Sequence, residues 1–263
     1  GQPTKTPYDN AGYMDIAPED KCENVRREIC LLLEQMGIYP ESSHHEEGPG
    51  QNEIDFRYSD PLTAADNTLT FQAVVKTVAQ RNGLYADFSP KPLRHQPGNG
   101  FHINISVKGG NCEDPLSHMI AGILEHIPEL TVFLNPTVAS YERFGGPKAP
   151  EYISWSNQNR SQLIRVPAAL DEYRRAELRS PDPTTNPYLA FALLIYAGLD
   201  GIQQKLPLPA PTDLNLFTAS ADILALLQRL PLTLREAATL AANSSFVSKY
   251  LPKTIVQTYY DQR

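Results

Sequence analysis

Apolar and polar positions along this chain recur with two periods, helical and strand-like, and the changes of period mark out its elements. Over residues 18–36, Val25, Ile29, Leu32, Leu33 and Met36 form one stripe. Glu19 and Asp20 suit a first turn and Gly37 suits a stop, which predicts a helix. A strand runs into His44 and His45, a turn follows at residues 48–50, and a second strand covers 51–58. In that second strand Glu53, Asp55 and Arg57 face one way, and Asn52, Ile54 and Phe56 the other. Helical spacing returns over 61–81, starting near Thr63 and carrying Leu69, Val74, Val75 and Val78. Residues 85–88 predict a short strand and 89–100 a loop rich in Pro and Gly.

The second half continues the mixture. Residues 101–107 alternate cleanly, with Phe101, Ile103, Ile105 and Val107 opposite His102, Asn104 and Ser106. Residues 114–133 predict one helix, or two with a break near Pro128; a loop over 142–150 and a short strand over 152–155 follow. Residues 168–179 read as extended, with Tyr173, Arg175, Glu177 and Arg179 on one face and Ala176 and Leu178 on the other. Residues 186–203 are a strongly apolar helix opened by Pro187. A Pro-rich link, helices over 220–230 and 233–243, and one tail helix complete the chain. The pattern is that of an α+β domain, whose sheet rests one face on helices and turns the other, polar face to a site.

Composition narrows the classes. The 263 residues are enough for a sizeable core, and the net charge of −7 argues against a polyanion-binding surface, so no nucleic-acid partner is expected. Cys22, Cys30 and Cys112 form no CxxC pair, which predicts a reducing compartment and no structural zinc. No apolar run reaches membrane-spanning length and no signal peptide is evident, so a cytoplasmic location without a membrane partner is expected.

Three stretches carry chemistry. The first is SSHHEEGPGQNEIDF, residues 42–56. Its Gly-Pro-Gly turn folds the backbone back so that Glu46 and Glu53 converge, the kind of oxygen pair a hard divalent cation needs. A charged surface hairpin is the competing reading. The second is GNGFHINISV, which lines His102 up with Asn104 and Ser106 beside a glycine loop. The third is RRAELRSPDP, where Glu177 stands between Arg175 and Arg179. That pattern suits a carboxylate holding a cation while arginines grip phosphate or carboxylate groups. Between them, Arg143 and Lys148 end a flexible crossing, ERFGGPKAP, expected of a lid, and Arg160 and Arg165 lie five residues apart. Trp155 suits either base stacking or the core. Lys91, Arg94 and His95 suit either phosphate contact or solvated loop charge, the second reading being favoured for Arg94 and His95.

At these motifs the chain resembles the catalytic domain of the glutamine synthetase family. HHEEGPGQNEIDF, GNGFHINISV, NPTVASYERFGGPKAP, NQNRSQLIRVP and RRAELRSPDPTTNPYL occur in the family's order, which makes the likeness specific. The resemblance implies a largely antiparallel curved sheet backed by helices and lining the active site. It also implies one partial catalytic domain over residues 1–263, with 204–263 its mainly helical end. The chemistry implied is ATP-dependent ligation of ammonia to glutamate through γ-glutamyl phosphate, with Mg2+ or Mn2+. Glu46 and Glu53 match ligands of the metal near the acceptor, and His102 and Glu177 ligands of the metal at the ATP phosphates, all opening onto one cavity. Arg143 and Arg179 match residues gripping the glutamate α-carboxylate. Arg160, Arg165 and Arg175 match phosphate-side residues, and Asn104 and Ser106 nucleotide contacts.

Departures from the family pattern shape the remaining expectations. The small N-terminal β-domain and the first catalytic strand, with its paired glutamates, do not appear in this chain. The piece alone is therefore expected to be inactive and monomeric or dimeric, while the full-length protein forms a ring. Lys148 stands where members carry a lid glutamate that deprotonates ammonium, and Pro97 where many carry asparagine. Both raise the alternatives of a γ-glutamyl ligase for a polyamine or other amine, and of a degenerate non-catalytic relative. The tyrosine-modification segment of bacterial members is not recognisable, so no adenylylation is expected.

Overall fold

The computed structural model describes residues 3–108, 110, 112–146, 148–170 and 173–261. They divide into two compact units, Gly1–Phe88 with Pro92–Gly98, and Ser89–Lys91 with Asn99–Arg263.

In the first unit, helix α1 (Glu23–Gln35), the antiparallel hairpin β1 (Pro40–His45) and β2 (Asn52–Phe56), and helix α2 (Pro61–Arg81) share a small core. Ile29, Leu33, Ile38, Val74 and Val78 are its centre, and Ile54 and Phe56 of the hairpin pack on it. The expected face of β2 is thus the one buried. Two expected stripe members are not: Met36 is 53% exposed and Leu69 is exposed too. The predicted helix over 18–36 starts later, at Glu23, because Asp20 serves another purpose. Its carboxylate accepts the Cys22 N–H and both terminal nitrogens of Arg26, which holds residues 18–22 in turns. Gly37 ends the helix at φ +81°, a conformation that favours glycine. In α2, Asp60 caps the first turn by accepting the N–H groups of Leu62 and Thr63. The predicted strand at 85–88 does not form. Side chains dock this segment instead, with Phe88 edge-on to Phe71 and Asp87 paired with Lys5.

The second unit is built on helices α3 (Pro115–Leu134) and α5 (Pro187–Gln204), which pack closely against each other. A short helix α4 (Val138–Tyr141), closed by a Thr137–Ser140 capping box, leads into the crossing. The four-stranded sheet has the order β3 (Ile103–Ile105), β6 (Ala176–Leu178), β5 (Ile164–Arg165), β4 (Trp155–Ser156). Its pairs are antiparallel except β4 with β5, which is parallel. Ile103, Ile164, Ala176 and Leu178 join Ile120, Ile123, Ile127, Leu193 and Leu194 in the core, so helices cover one face of the sheet as expected.

α3 takes the unbroken of its two expected forms, running through Pro128 with Ile127 and Leu130 fully buried. Three other expectations for this unit are corrected. The predicted helix over 220–230 shortens to α6 (Ala221–Leu224). The Ile153 N–H donates to the Gln228 carbonyl and the Leu230 N–H to that of Glu151, so the chain beyond α6 is drawn into a bridge. The strand at 152–155 is for the same reason only an isolated bridge of Tyr152 to Arg229, followed by β4. The helix expected over 233–243 forms as α7 (Leu234–Asn243), and the tail beyond it forms two helices, α8 (Ser245–Tyr250) and α9 (Lys253–Asp261), where one was expected; Pro252 separates them. Pro147 of the crossing lies outside the described residues.

Candidate active site

In the first unit the site is the hairpin turn, held from beneath by buried charge. Asp9 accepts the N–H groups of Gly50 at 2.9 Å and Lys21 at 3.1 Å, and lies 2.9 Å from His45 Nε2. Burial works to raise the Asp9 carboxyl, but the His45, Gly50 and Lys21 contacts outweigh it and hold the group below the usual carboxylate range. His45 is fully buried, its Nδ1 2.6 Å from the Glu46 carbonyl oxygen. Arg26 ties the hairpin to α1, donating from Nη1 to Asn52 Oδ1 at 2.5 Å and from Nε to Ser43 Oγ at 3.2 Å.

On this frame Glu46 donates its N–H to the Gln51 carbonyl, and Gly50 turns the chain at φ +64°. Glu46 and Glu53 come together as expected, and His44 joins them: one ligand atom from each lies within 4.8 Å of the others. Sequence reasoning missed His44. The signal was present, since strand alternation puts His44 on the face of Glu46, and the turn pairs it across the hairpin with Glu53.

In the second unit Glu177 is the hub. It lies on β6 opposite Asn104 and Arg165, and is 5% exposed. Arg165 Nε and Arg179 Nη1 each donate to its carboxylate at 2.5 Å. His102 Nδ1 is 3.4 Å from the oxygen that Arg179 binds. Burial, and then the charges of Arg179, Arg143, Lys148 and Arg165, drive His102 well below the ordinary histidine value and keep its ring neutral. His102 Nε2 is buried without a partner among the described residues. A neutral imidazole with an unsatisfied buried nitrogen, next to a buried carboxylate, fits a divalent metal.

The other arginines surround this hub in different ways. Arg143 is 2% exposed; burial lowers it to about 10 against the opposing pull of Asp182, and its Nη1 donates to the Ser180 carbonyl at 3.0 Å. Arg179 is also lowered, chiefly by burial. Arg175 Nε donates to Asn104 Oδ1 at 3.1 Å. The Arg160 carbonyl accepts from Arg179 Nε at 3.1 Å, while its side chain is exposed. Ser106 is exposed just beyond β3. Trp155 donates from its indole to the Pro209 carbonyl at 2.7 Å and leans on the core, taking the second of its two expected places. The structure thus joins Glu46 to Glu53 and His102 to Glu177, each within its own unit. The expectation that all four meet at one cavity crosses the two units and stands as a proposal.

Sheet, helices and motif order define a class of protein in which a buried carboxylate, a histidine and arginines are gathered on a short-stranded sheet. Residues 2–263 match the glutamine synthetase catalytic domain, and the chain belongs to the glutamine synthetase family. Among curated relatives, a glutamine synthetase of Clostridium saccharobutylicum is 49% identical over 82% of this chain and 52% of its own length. One of Methanosarcina mazei is 45% identical over 98% of this chain and 61% of its own. Among solved structures, a GmaS/ADP complex matches with a TM-score of 0.86 at 30% identity, covering 97% of this chain and 63% of that one. A Plasmodium falciparum glutamine synthetase matches with a TM-score of 0.83 at 26% identity, covering 96% of this chain and 60% of that one. The chain therefore spans between half and two thirds of the length of these relatives. Among the described residues no helix is long and apolar enough to cross a membrane.

Proposed function

We propose that the protein is an ATP-dependent carboxylate–amine ligase that joins an amine to the γ-carboxylate of glutamate. The observation that carries this reading is the His102–Glu177–Arg165–Arg179 cluster, a neutral imidazole and a buried carboxylate held among guanidinium groups. In the reaction a carboxylate oxygen attacks the γ-phosphorus of ATP and ADP leaves. The neutral amine nitrogen then attacks the acyl carbon, phosphate leaves with the bonding pair, and the nitrogen gives up a proton to the departing phosphate or to water. The GmaS structure that the chain resembles is a complex with ADP, which supports a nucleotide as the phosphate source.

In this reading His102 and Glu177 hold a divalent cation, Mg2+ or Mn2+, at the phosphates, and Glu46 and Glu53 hold another near the acceptor. Bound cations supply neutralisation of phosphate charge as it shifts. Arg160, Arg165 and Arg175 neutralise the transferring group from the protein side, and Asn104 and Ser106 contact the nucleotide. Arg143 and Arg179 receive the α-carboxylate of glutamate, their burial making each guanidinium a strong partner for an anion. A ring of subunits is the assembly that the family resemblance implies.

For the acceptor we favour an amine other than ammonia, a polyamine among the candidates. Lys148 adds a positive charge to those acting on His102, at the position where the resemblance implies a deprotonating glutamate. A cation there cannot accept the proton of an incoming ammonium, so the ammonium-deprotonating role that the resemblance implies at this position is missing. The test is phosphate release by the natural full-length protein with ATP, glutamate and a panel of ammonium, alkylamines and polyamines. Release that requires both glutamate and an amine is expected, strongest with an amine other than ammonium. Strongest release with ammonium would return the acceptor to ammonia, and release indifferent to any amine would refute the ligase reading.

A further inference from the structure

We propose that His44 is a third ligand, through Nε2, to the divalent cation held by Glu46 and Glu53. This rests on the reading that those two carboxylates bind metal.

The ring is already arranged for that task. His44 Nδ1 lies 3.0 Å from the carbonyl oxygen of His45. A carbonyl only accepts, so Nδ1 is the nitrogen that carries a hydrogen, and Nε2 is the one left to coordinate. Metal-bound histidines are fixed in this way, with the non-coordinating nitrogen donating to a carbonyl or carboxylate. The carbonyl is itself held, since it also accepts the Met14 N–H at 3.0 Å. Tyr13 stands edge-on to the imidazole with ring centres 5.5 Å apart, which steadies the plane.

Nε2 then faces Glu53 Oε1 at 3.7 Å. That is too long for a hydrogen bond. It is, however, the spacing of two donors on one cation: with metal–ligand bonds of roughly 2.1 Å, neighbouring donors sit roughly 3–4 Å apart. Glu46 supplies the third atom within 4.8 Å, while its Oε2 accepts the Glu47 N–H at 2.7 Å and so fixes the carboxylate. Cross-strand pairing of His44 with Glu53, and alternation that places His44 beside Glu46, come from backbone register rather than from mobile side chains. The donors that this chain supplies are two oxygens and one nitrogen. A nitrogen donor favours Mn2+ over Mg2+, which takes oxygen ligands and gives up water reluctantly.

The test is Mn2+ titration of the whole chain followed by electron paramagnetic resonance, with competition by Mg2+. It compares the natural protein with His44→Gln, Glu46→Gln and Glu53→Gln, and uses thermal melts to confirm folding. His44→Gln is expected to weaken Mn2+ at this site about tenfold while leaving Mg2+ nearly unchanged. Electron spin-echo modulation of bound Mn2+ gives an independent reading. In a His102→Asn background, nitrogen modulation should persist, and it should vanish when His44→Gln is added. Loss of Mn2+ in the two glutamate variants, with His44→Gln binding normally and the modulation unaltered, would overturn the role of His44 and leave the carboxylate site standing. Mn2+ binding indifferent to all three substitutions would overturn the metal reading of the hairpin and this inference with it.

Discussion

Single buried charges hold both candidate clusters in place, and each depends on its partners being present. Glu177 satisfies Arg165 and Arg179 together, and Arg179 is almost wholly buried. Replacing the carboxylate by an amide of the same shape leaves two guanidinium groups beside a neutral side chain. Glu177→Gln should therefore lower stability by about 3 kcal/mol, read from denaturant unfolding, since breaking a buried pair from one side strands the other charge. An unchanged midpoint would show that the arginines find other acceptors. The acidic side of the hairpin frame makes a separate prediction. Asp9 and Asp20 are both held below the usual carboxylate value, burial opposing the shift and their hydrogen bonds and ion pairs prevailing. Unfolding returns each to about 4. Their contribution is thus complete above about pH 4 and is lost as pH falls through the lower folded values. Thermal melts between about pH 5 and 2 should show this fall, and Asp9→Asn should flatten part of it.

At the scale of elements, the decisive contact is the crossing of α3 and α5. A Cβ at Gly201 would strike the His118 carbonyl oxygen and come within 2.7 Å of Gly122 Cα. One at Gly122 would strike the Ala197 carbonyl oxygen and come within 2.8 Å of Gly201 Cα. In an open helix, glycine to alanine gains up to about 1 kcal/mol. Here backbone meets backbone, which cannot move aside as a flexible side chain can, so overpacking prevails. Gly201→Ala should cost roughly 2–3 kcal/mol net, seen as a lower unfolding midpoint. A gain would show that the helices separate freely. This crossing carries the core on which the sheet rests, so the same substitution should also disturb the surroundings of Glu177.

Legibility in the sequence followed the range of the forces involved. Residues 61–81 were readable as a helix because the stripe and the flanking signals are local, and the α+β class followed from such stretches. The pairing of His102 with Glu177 was legible only through the family resemblance; His102 lies just before β3, whose neighbour β6 carries Glu177. Helix over 225–230 was wrongly expected because a distant segment, 151–153, claims the backbone groups of Gln228 and Leu230. Helix formation at 18–22 failed because Asp20 pairs with Arg26. His44 escaped notice because its partners are set by hairpin register, which a motif does not display. Neither motif nor register, moreover, says what the crossing of residues 142–150 selects.

Lys148 brings that last question to the whole molecule. Its backbone is left-handed, at φ +62°, where the unbranched side chains of Lys, Gln and Glu bear similar strain. Lys148→Gln and Lys148→Glu therefore change charge with the backbone cost held constant. If the lysine sets the acceptor, removing its charge should raise ammonium-dependent phosphate release relative to that with other amines, and reversing it should raise the ratio further. About tenfold for the reversal corresponds to ~1.4 kcal/mol of preferential stabilisation. Because the Lys148 charge is one of those that push His102 down, the glutamate variant should also let the His102 value rise. Imidazole titration by NMR reads that change without turnover. A ratio indifferent to all three residues, alongside a shifted His102, would separate the electrostatic role of Lys148 from any part in choosing the amine.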